Sequence, residues 1–588
     1  MDDHMSQEAV IAGGVRLTRD AVGVMRDGTE LRADIYRPLA SGSYPVILMR
    51  VPYNKSIAQS AVYQHPSWYA RQGYVVIVQD CRGRFSSAGI FDPLRNEALD
   101  GFDSVEWAST VPESNGRVGM YGFSYAGSTQ LLAAAERPPA LKCCIPAFAA
   151  NDYFDGWMYE NGALKLSFVM SWTVQMLSVN DAVRRGDDRV VRRMIEHLND
   201  FPAMLRHRPY SDFPLFKETG VAPYFFDWLE HDTRDEYWRQ NGLETRYDDI
   251  SVPCLHIGGW YDVFAKGTVT NYLELSRRAG NDPNREQRLI MGPWIHFPWA
   301  PEATGSNLGE SFANRTDIAQ LEWFDRWLKS SDSSTGSKVV HFVMGRNEWR
   351  SSESWPPKGS QPVRLFLESG GRANSRSGDG RLTSVPMEDE ASPDVFIYDP
   401  NSPITSAGGN SCCNAQVSPM GQACQAAVES RNEVLVYSTQ PLNEAVEING
   451  SPSVRLNVST TALDTDWVVR LTDVDFEGHS YNISQGIMRA RYSESLERPQ
   501  LLEPDVAHEI EIVMHPTSWL FMTGHRIRLQ VTSSDFPNHD PNLNNGLRNV
   551  AGSYSDAVIA TQTVFHDRLK TSSLCLPVSD GMDALTHA

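Results

Sequence analysis

The chain has no excess of positive charge and no long apolar run. Its 53 lysines and arginines are outnumbered by 73 aspartates and glutamates, which gives a formal net charge of −20. Proteins that bind nucleic acid carry a basic patch or stripe, so this composition argues against a nucleic-acid partner. No apolar stretch approaches the roughly 18 residues that cross a bilayer as a helix, so no membrane partner is expected.

Cysteines are few and lack the spacing of a metal site. Eight occur in 588 residues, and none forms a Cys-x-x-Cys pair typical of structural zinc. The N-terminus has no basic segment followed by an apolar one, so no signal peptide is expected, and the chain is interpreted as cytoplasmic with mostly free thiols. Cys412, Cys413 and Cys424 share a polar loop. A redox-active or bridged group is one interpretation of this loop, and a fortuitous cluster is the simpler one.

The length predicts about three to four domains. Residues 1–150 and 248–335 alternate apolar strands with helices, which is typical of an α/β domain with a mostly parallel sheet. Pro45–Val51 and Gly73–Asp80 are continuous apolar runs, as expected for strands buried on both faces. Such sheets bind ligands at the carboxyl ends of their strands. Three polar residues stand at such ends: Tyr53, Asp80 and Ser124.

The alternation stops over residues 151–247, where helical segments rich in Trp and Arg predominate. An all-helical insert of this size is interpreted as a cap above the strand ends, with a further helical layer as the alternative. Ser330–Lys338 is Ser/Asp-rich and predicts a linker. Residues 340–588 then contain short alternating strands separated by Gly, Pro, Asn and Ser. This pattern predicts an all-β, jelly-roll-like sandwich.

The stretch Arg117–Glu136 predicts a strand, a sharp turn and a helix. The turn reads Gly122-Phe-Ser124-Tyr-Ala-Gly127, and this layout is that of a nucleophile elbow, which exposes a serine hydroxyl. The pattern alone is weak because Ala126 stands where a glycine is expected. An ordinary turn is the alternative.

A serine nucleophile needs a histidine base and a carboxylate that orients the histidine. In α/β-hydrolases both follow the serine, the acid first and the histidine second. Asp262 ends one later predicted strand and His296 ends the next. His256 competes as the base, but it lies within a strand, where a core histidine is the usual outcome. Ser124, Asp262 and His296 are therefore the predicted triad.

The developing negative charge of an acyl-transfer intermediate needs hydrogen-bond donors. The backbone N–H of Tyr125 is one candidate because it directly follows the nucleophile. The second donor usually comes from the loop after an early strand, and here that loop holds Tyr53. The Tyr53 hydroxyl is the candidate there, and a tyrosine that only packs at a strand end is the alternative.

Five segments carry these residues in order along the chain: Arg50-Val-Pro-Tyr53-Asn-Lys55, Gln79-Asp80-Cys-Arg82-Gly-Arg84, Gly122-Phe-Ser124-Tyr-Ala-Gly127, Gly258-Gly-Trp-Tyr-Asp262 and Gly292-Pro-Trp-Ile-His296. Together they resemble the family of cocaine esterase, glutaryl-cephalosporin acylase and X-Pro dipeptidyl-peptidase. The resemblance implies an α/β-hydrolase domain, a helical cap and a C-terminal jelly roll. It also implies the predicted triad, with Tyr53 and Tyr125 as the oxyanion hole. The family reads Gly-X-Ser-Tyr-X-Gly at the nucleophile, which accounts for Ala126.

Three aromatic residues resemble those that line the acyl pocket of esterases in this family: Trp157, Trp172 and Phe264. Plain packing within the cap is the alternative for all three. The residues after Asp262 are Val263-Phe264-Ala265, whereas the α-amino ester hydrolase branch carries acidic residues there. An α-amino substrate is therefore not favoured. Strict X-Pro exopeptidase activity is not favoured either, because the long N-terminal additions and amine-binding carboxylates of the dipeptidyl-peptidases are not identified in this sequence.

The sequence thus predicts a bacterial serine hydrolase that cleaves a small-molecule ester or amide through an acyl-enzyme, without metal or cofactor. Alternatives of the same class are an amide or β-lactam side-chain acylase, an acyltransferase and an X-Pro dipeptidyl-peptidase. The alternative of another class is a catalytically inactive protein that binds carbohydrate or polymer. Homo-oligomerisation is left open. Asp80 and Arg82 are interpreted as a structural polar pair behind the site.

Overall fold

The computed structural model describes residues 8–11, 13–57, 60, 62–296, 316–330 and 336–586. The N-terminal segment that bears on the signal-peptide prediction lies outside these ranges, as does part of the predicted linker Ser330–Lys338. Among the helices of the described residues, none combines the length and the apolarity that crossing a membrane requires.

The first half of the chain forms an 11-stranded sheet. Its strands are β1 Glu8–Ile11, β2 Val15–Val24, β3 Glu30–Pro38, β4 Tyr44–Val51, β5 Val75–Asp80, β6 Ser114–Phe123, β7 Leu141–Ala147, β10 Cys254–Tyr261, β11 Gln287–Ile295, β12 Val339–Val343 and β13 Glu348–Ser352. The strands β8 Tyr159–Glu160 and β9 Ala163–Leu164 form a short separate hairpin. The spatial order is β1-β2-β3-β5-β4-β6-β7-β10-β11-β12-β13. The strands from β5 to β12 are parallel, as predicted.

Both edges of this sheet are antiparallel. The sequence predicted a mostly parallel sheet and gave no indication of these antiparallel edges. The strands β1, β2 and β3 run as a meander onto β5 at one edge. At the other edge β13 folds back on β12. The expected boundary at residue 340 would cut these last two strands away from the sheet to which they are hydrogen-bonded. We propose instead that the α/β domain ends after Ser352.

Helices cover the two faces of the sheet. They are α1 Pro66–Arg71, α2 Glu97–Thr110, α3 Tyr125–Ala135, α11 Ala265–Ala279 and α12 Thr316–Lys329. The strands β5 and β10 are buried along their whole length, which agrees with their continuous apolar sequences. The core strands therefore hold their carboxyl ends at one rigid edge.

The inserted segment between β7 and β10 is mainly helical. It contains α4 Leu166–Ser171, a π-helix at Trp172–Ser178, α5 Val179–Arg184, α6 Asp188–Asn199, α7 Phe201–Arg206, α8 Pro214–Thr219, α9 Tyr224–Glu230 and α10 Glu236–Arg239. The expectation of an all-helical insert is wrong at the hairpin of β8 and β9, where Gly162 has a φ of 84° that favours a turn. The helices α9 and α10 are separate elements.

The C-terminal part is an all-β sandwich, as predicted. A network of 13 strands builds it. These are β14 Gln361–Glu368, β15 Arg381–Thr383, β16 Asp394–Tyr398, β17 Leu435–Ser438, β18 Val446–Gly450, β19 Ser453–Thr460, β20 Asp466–Val474, β21 Ser480–Arg489, β22 His508–Val513, β23 Thr517–Phe521, β24 Arg526–Thr532, β25 Ala560–Phe565 and β26 Ser573–Asp580, with short helices α13 Ala426–Glu429 and α14 Met582–Thr586.

The sandwich and the first sheet share one apolar core. Buried side chains from both belong to a single continuous cluster. Met344, directly after β12, exchanges backbone hydrogen bonds with β23: its N–H donates to Ser518 at 3.0 Å, and its carbonyl accepts from Leu520 at 2.8 Å. The two sheets are therefore joined by backbone hydrogen bonds as well as by side-chain packing.

Two neighbouring cysteines of the polar loop between β16 and β17 are bridged. Cys412 and Cys413 form a disulfide, with Cys412 fully buried. The other six cysteines, Cys424 included, are free thiols. The simpler interpretation of this loop as a fortuitous cluster is therefore wrong for the first two cysteines. It holds for the third, whose thiol is exposed.

Candidate active site

Ser124 lies at the turn between β6 and α3, at the carboxyl end of a central strand. Its φ of 63° and ψ of −127° belong to a region that residues with a side chain rarely adopt. The Ser124 N–H donates to the Ala147 carbonyl at 2.9 Å and so fixes the turn against β7. The geometry is that of a strained elbow which presents a hydroxyl at the strand ends.

The two glycines of the turn are required by close approach. A Cβ on Gly127 would lie 2.5 Å from the Ala147 carbonyl oxygen, so α3 packs on β7 only without a side chain there. Gly122 has a φ of 135°, and a Cβ on it would lie 2.7 Å from the Cβ of Ala126. Ala126 thus occupies the space that Gly122 leaves open, which explains the departure from the simple Gly-X-Ser-X-Gly pattern.

Asp262 and His296 stand directly after the neighbouring parallel strands β10 and β11. The distance from His296 Nδ1 to Asp262 Oδ1 is 2.7 Å, and that from His296 Nε2 to Ser124 Oγ is 2.9 Å. With an ionised carboxylate, Nδ1 carries the proton and Nε2 accepts from the serine hydroxyl. The structure therefore brings the three predicted residues into one hydrogen-bonded chain, in which all three side chains are buried.

His256, the competing histidine, lies inside β10 and away from this chain. Its Nε2 is 3.0 Å from Gln287 Oε1. Burial lowers the pKa of its imidazole to about 4, against the raising effect of the Gln287 hydrogen bond. It is a core histidine, as expected.

Tyr53 follows β4 and reaches the same edge of the sheet. Its hydroxyl oxygen accepts a hydrogen bond from the Trp172 indole N–H at 2.8 Å. Burial raises the pKa of the Tyr53 phenol above its usual value, although hydrogen bonds with Trp172 and Ser124 lower it. The phenol is therefore protonated at neutral pH and has its own hydrogen to donate at the site.

Tyr125 is the first residue of α3, so its backbone N–H has no acceptor within the helix. The Tyr125 side chain holds this backbone in place through two hydrogen bonds. The phenol donates to Glu97 Oε1 at 2.9 Å and accepts from the Leu94 N–H at 2.8 Å. Glu97 in turn pairs with the buried Arg50 at 2.7 Å. Both candidate oxyanion donors are thus held by hydrogen bonds, Tyr53 through Trp172 and Tyr125 through its own side chain.

The three predicted pocket aromatics lie together beside the histidine. The ring of Trp157 is 4.6 Å from that of Phe264 and 5.1 Å from that of Trp172. Phe264 is 5.4 Å from the imidazole of His296. Phe168 and Trp228, which were not predicted, both stack nearly parallel to Trp172, at 6.1 and 5.6 Å. Phe168 was accessible to sequence reasoning because it stands four residues before Trp172 on one helix.

Asp80 and Arg82 are structural, but they do not form the expected pair. Asp80 accepts from the Lys55 N–H at 2.7 Å, and burial raises the pKa of its carboxyl to about 6 against that hydrogen bond. Arg82 instead pairs with Asp100 at 2.6 Å and with Asp27 at 2.7 Å. Each residue fixes a different part of the loop after β5.

Arg84 of the same motif connects the two sides of the site. It is fully buried, and its Nε donates to the Pro52 carbonyl at 2.9 Å, next to Tyr53. Its Nη1 donates to the Leu177 carbonyl at 3.1 Å in the π-helix that begins at Trp172. π-Helical turns are rare and recur at functional sites. A single guanidinium therefore sets the spacing between the Tyr53 loop and the Trp172 helix.

Two further residues were missed by sequence reasoning, and both hold the segment around Asp262. Lys165, before α4, donates from Nζ to the Val263 carbonyl at 3.0 Å and to the Gly156 carbonyl at 2.9 Å. Asn410, from the loop with the disulfide, donates from Nδ2 to the Asp262 carbonyl at 2.9 Å. Asn410 directly follows Gly408-Gly409, and this glycine pair was its only signal in the sequence.

Family profiles cover most of the chain. The profile of X-Pro dipeptidyl-peptidase (S15 family) matches residues 27–298, and that of the X-Pro dipeptidyl-peptidase C-terminal non-catalytic domain matches residues 333–574. Cocaine esterase from Rhodococcus sp. (strain MB1 Bresler) is 33% identical over 554 residues, covering 91% of this chain and 94% of that protein.

Solved structures share the fold over nearly the whole length. An α-amino acid ester hydrolase superposes with a TM-score of 0.80 at 24% identity, covering 97% of each chain. A CocE/NonD family hydrolase from Staphylococcus aureus gives a TM-score of 0.69 at 19% identity, covering 96% of this chain and 94% of that one. The resemblance that the five motifs indicate is thus confirmed: the chain belongs to the X-Pro dipeptidyl-peptidase (S15) family and is a serine hydrolase.

Proposed function

We propose that the protein is an esterase that acts through a covalent acyl-enzyme at Ser124. The observation that carries this proposal is the hydrogen-bonded chain from Ser124 through His296 to Asp262, at 2.9 and 2.7 Å. A serine is a weak nucleophile without such a base, and an oriented imidazole provides it. The identity to a cocaine esterase over nearly the whole chain supports an ester as the bond that is cleaved.

His296 accepts the Ser124 proton at Nε2 as Oγ adds to the substrate carbonyl carbon. Asp262 stays ionised and stabilises the imidazolium through Nδ1. The negative charge on the former carbonyl oxygen accepts hydrogen bonds from the Tyr53 hydroxyl and the Tyr125 N–H. When the intermediate collapses, the imidazolium protonates the leaving alcohol. A water molecule, deprotonated by His296, then releases the acid from Ser124.

The aromatic side chains beside His296 support recognition of the substrate through a bulky apolar or aromatic acyl group. Trp157, Trp172 and Phe264 are mutually packed and buried, so they offer flat apolar surfaces rather than charge. The positions after Asp262 are apolar, which supports a neutral acyl group over an α-amino one. The expected substrate is therefore a small-molecule ester of an aromatic or branched acid.

A fluorophosphonate probe tests the nucleophile directly. We expect stoichiometric labelling of the wild-type protein at Ser124, and no labelling of the Ser124→Ala variant. Ser128 provides a matched control, since it is a buried serine one turn further along the same helix. Its Ser128→Ala variant should be labelled like the wild type. Labelling that survives Ser124→Ala would refute the proposal, and absence of labelling in the wild type would favour an inactive binding protein.

Amide hydrolysis is the second candidate, and the match to a dipeptidyl-peptidase family favours it. It includes side-chain acylases and X-Pro dipeptidyl-peptidases. An acyltransferase would use the same acyl-enzyme, with an amine in place of water as the acceptor of the acyl group. A panel of phenylacetyl and benzoyl aryl esters, the matching anilides and an X-Pro anilide separates these activities. We expect kcat/KM to be highest for the esters. Anilide turnover without ester turnover would reverse this order.

The cytoplasmic location is proposed on the six free cysteines, which suit a reducing compartment. Cell fractionation tests it, and recovery of the protein outside the cytoplasm would overturn it.

A further inference from the structure

We propose that Asn410, which the C-terminal sandwich contributes, is the positioning residue for Asp262. The inference rests on the proposed function, because it assigns a role in holding the acid of the triad. Asn410 does not contact the reacting atoms. It acts through the backbone of the segment that carries the carboxylate.

The Asn410 side chain makes two hydrogen bonds to this segment. Its Nδ2 donates to the Trp260 carbonyl and to the Asp262 carbonyl, both at 2.9 Å. Asn410 is 4% exposed, so water does not compete for these bonds. Its neighbour Ser411 forms an isolated parallel β-bridge with Asp262. The loop from the sandwich therefore pairs with Asp262 through both backbone and side chain.

The ladder of β10 is irregular near its end and stops at Tyr261, one residue before Asp262. The pairing of β10 with β11 shifts register between Gly259 and Tyr261, just before the catalytic carboxylate. A register shift of this kind interrupts the ladder and re-aims the following side chain. The Trp260 carbonyl takes a donor from Asn410, and the Asp262 carbonyl accepts from Asn410 as well as from the Ala265 N–H at 3.1 Å. Asn410 supplies a donor to both.

The carboxylate has few anchors of its own. Among the described residues, Asp262 Oδ2 has no hydrogen-bond partner, and Oδ1 is engaged only by His296. The direction of the carboxylate therefore depends on where the backbone places it. Two local backbone bonds hold Asp262, from its N–H to the Gly259 carbonyl and from the Ala265 N–H to its carbonyl, both at 3.1 Å. Asn410 adds the side-chain hydrogen bond that ties this backbone to the sandwich.

A small displacement of Asp262 should therefore weaken its stabilisation of the His296 imidazolium, although all three members of the triad remain present. Misplacement by about 1 Å costs on the order of 100-fold in rate. We expect Asn410→Ala and Asn410→Leu to lower kcat by about 10- to 100-fold with KM changed less than about twofold. The leucine variant keeps the volume and removes the N–H donors.

The acid limb of the pH profile of kcat/KM separates the two possible roles of Asn410. If Asn410 only stabilises the fold, this limb stays where it is in the wild type. A poorly aligned Asp262 stabilises the imidazolium less, so the limb should shift to lower pH in both variants. Active sites are counted with the fluorophosphonate probe, which normalises kcat to folded, competent enzyme. Asn544→Ala is the matched control, because Asn544 is a buried asparagine that donates to a carbonyl, Val558, within the sandwich. Its normalised kcat and pH profile should equal those of the wild type.

The outcomes separate the two proposals. If wild-type Ser124 is not labelled, the proposed function fails and Asn410 loses its role with it. If Ser124 is labelled while a folded Asn410 variant keeps the wild-type kcat and acid limb, only the role of Asn410 is overturned. Should Asn410→Ala not fold, Asn410→Leu decides by the same criteria. Equal loss in Asn544→Ala would also overturn the assignment, because the effect would then be one of general stability.

Discussion

The indole N–H of Trp172 donates a 2.8 Å hydrogen bond to the hydroxyl oxygen of Tyr53. This contact joins the inserted segment to the loop after β4 at the reacting centre. Because the phenol oxygen accepts from the indole, its own hydrogen is left for another acceptor, either Ser124 in the resting enzyme or the oxyanion during reaction. Trp172 thus has two roles in the proposal, one apolar toward the acyl group and one polar toward Tyr53.

Replacing Tyr53 by Phe removes one oxyanion donor and leaves the ring in place. We expect kcat to fall about 100- to 1,000-fold, since one preorganised donor in a dry site contributes that much. KM should change little, because the bond strengthens only in the transition state. Steady-state kinetics with an aryl ester measure this. An unchanged kcat would return Tyr53 to a packing role.

Replacing Trp172 by Phe removes the indole N–H but keeps a ring beside Phe168 and Trp228. We expect a smaller loss of kcat, about 10-fold, because Tyr53 keeps its hydroxyl but loses its orientation. The double variant with Tyr53→Phe should be no slower than Tyr53→Phe alone, as residues acting through one bond are not additive. Trp228→Phe, which changes a ring stacked on Trp172, is the matched control. Fully additive losses would show that the two side chains act separately.

The stability of the protein should depend on pH through His539. Its ring nitrogens lie 3.3 Å from Asp535 and 3.3 Å from Glu160. Burial lowers the pKa of His539, but the hydrogen bonds to these carboxylates raise it by more than burial lowers it. The net result is a pKa of about 9. A pKa raised on folding stabilises the protein fully below about pH 6.5, and this contribution is lost as pH rises to about 9. Its size is at most about 3 kcal/mol.

His539→Gln keeps a polar side chain of similar size without the titration. We expect the urea midpoint of the wild type to exceed that of the variant at pH 6.5, and the gap to shrink by pH 9. A gap that stays constant over this interval would mean that His539 is not charged in the folded protein.

A count of thiols tests the bridge between Cys412 and Cys413. In denaturant without reductant, six of the eight cysteines should react, and all eight should react after reduction. Cys412→Ser should give seven reactive thiols under both conditions. Eight thiols before reduction would show that the pair is reduced in the purified protein.

The sequence predicts the site well where the signal is local. Ser124, Asp262 and His296 each follow an apolar strand, and parallel strands bring their carboxyl ends together whatever lies between them. The same reasoning located Tyr53, because the loop after an early strand meets the nucleophile turn. These placements need only strand periodicity and chain order.

Contacts that depend on distant partners were not predictable. Asn410 and Lys165 are single polar residues with no periodic pattern, and their acceptors are backbone carbonyls, which leave no mark in a sequence. The π-helix that begins at Trp172 is hydrogen-bonded through its Leu177 carbonyl to Arg84, which lies far earlier in the chain. The strands β12 and β13 look like those of the sandwich by composition, and only their partner, β11, assigns them to the first sheet.

The backbone junction at Met344 constrains how this chain can have evolved. A crossover that exchanged the sandwich for another would cut a shared hydrophobic core, and it would separate Trp260 from Trp355, whose rings are 5.0 Å apart. The two halves are thus one packed unit, unlike modules joined by a free linker. An exchange at the predicted linker Ser330–Lys338, directly before β12, should therefore destabilise a chimera, because it also replaces the strand that pairs with β11.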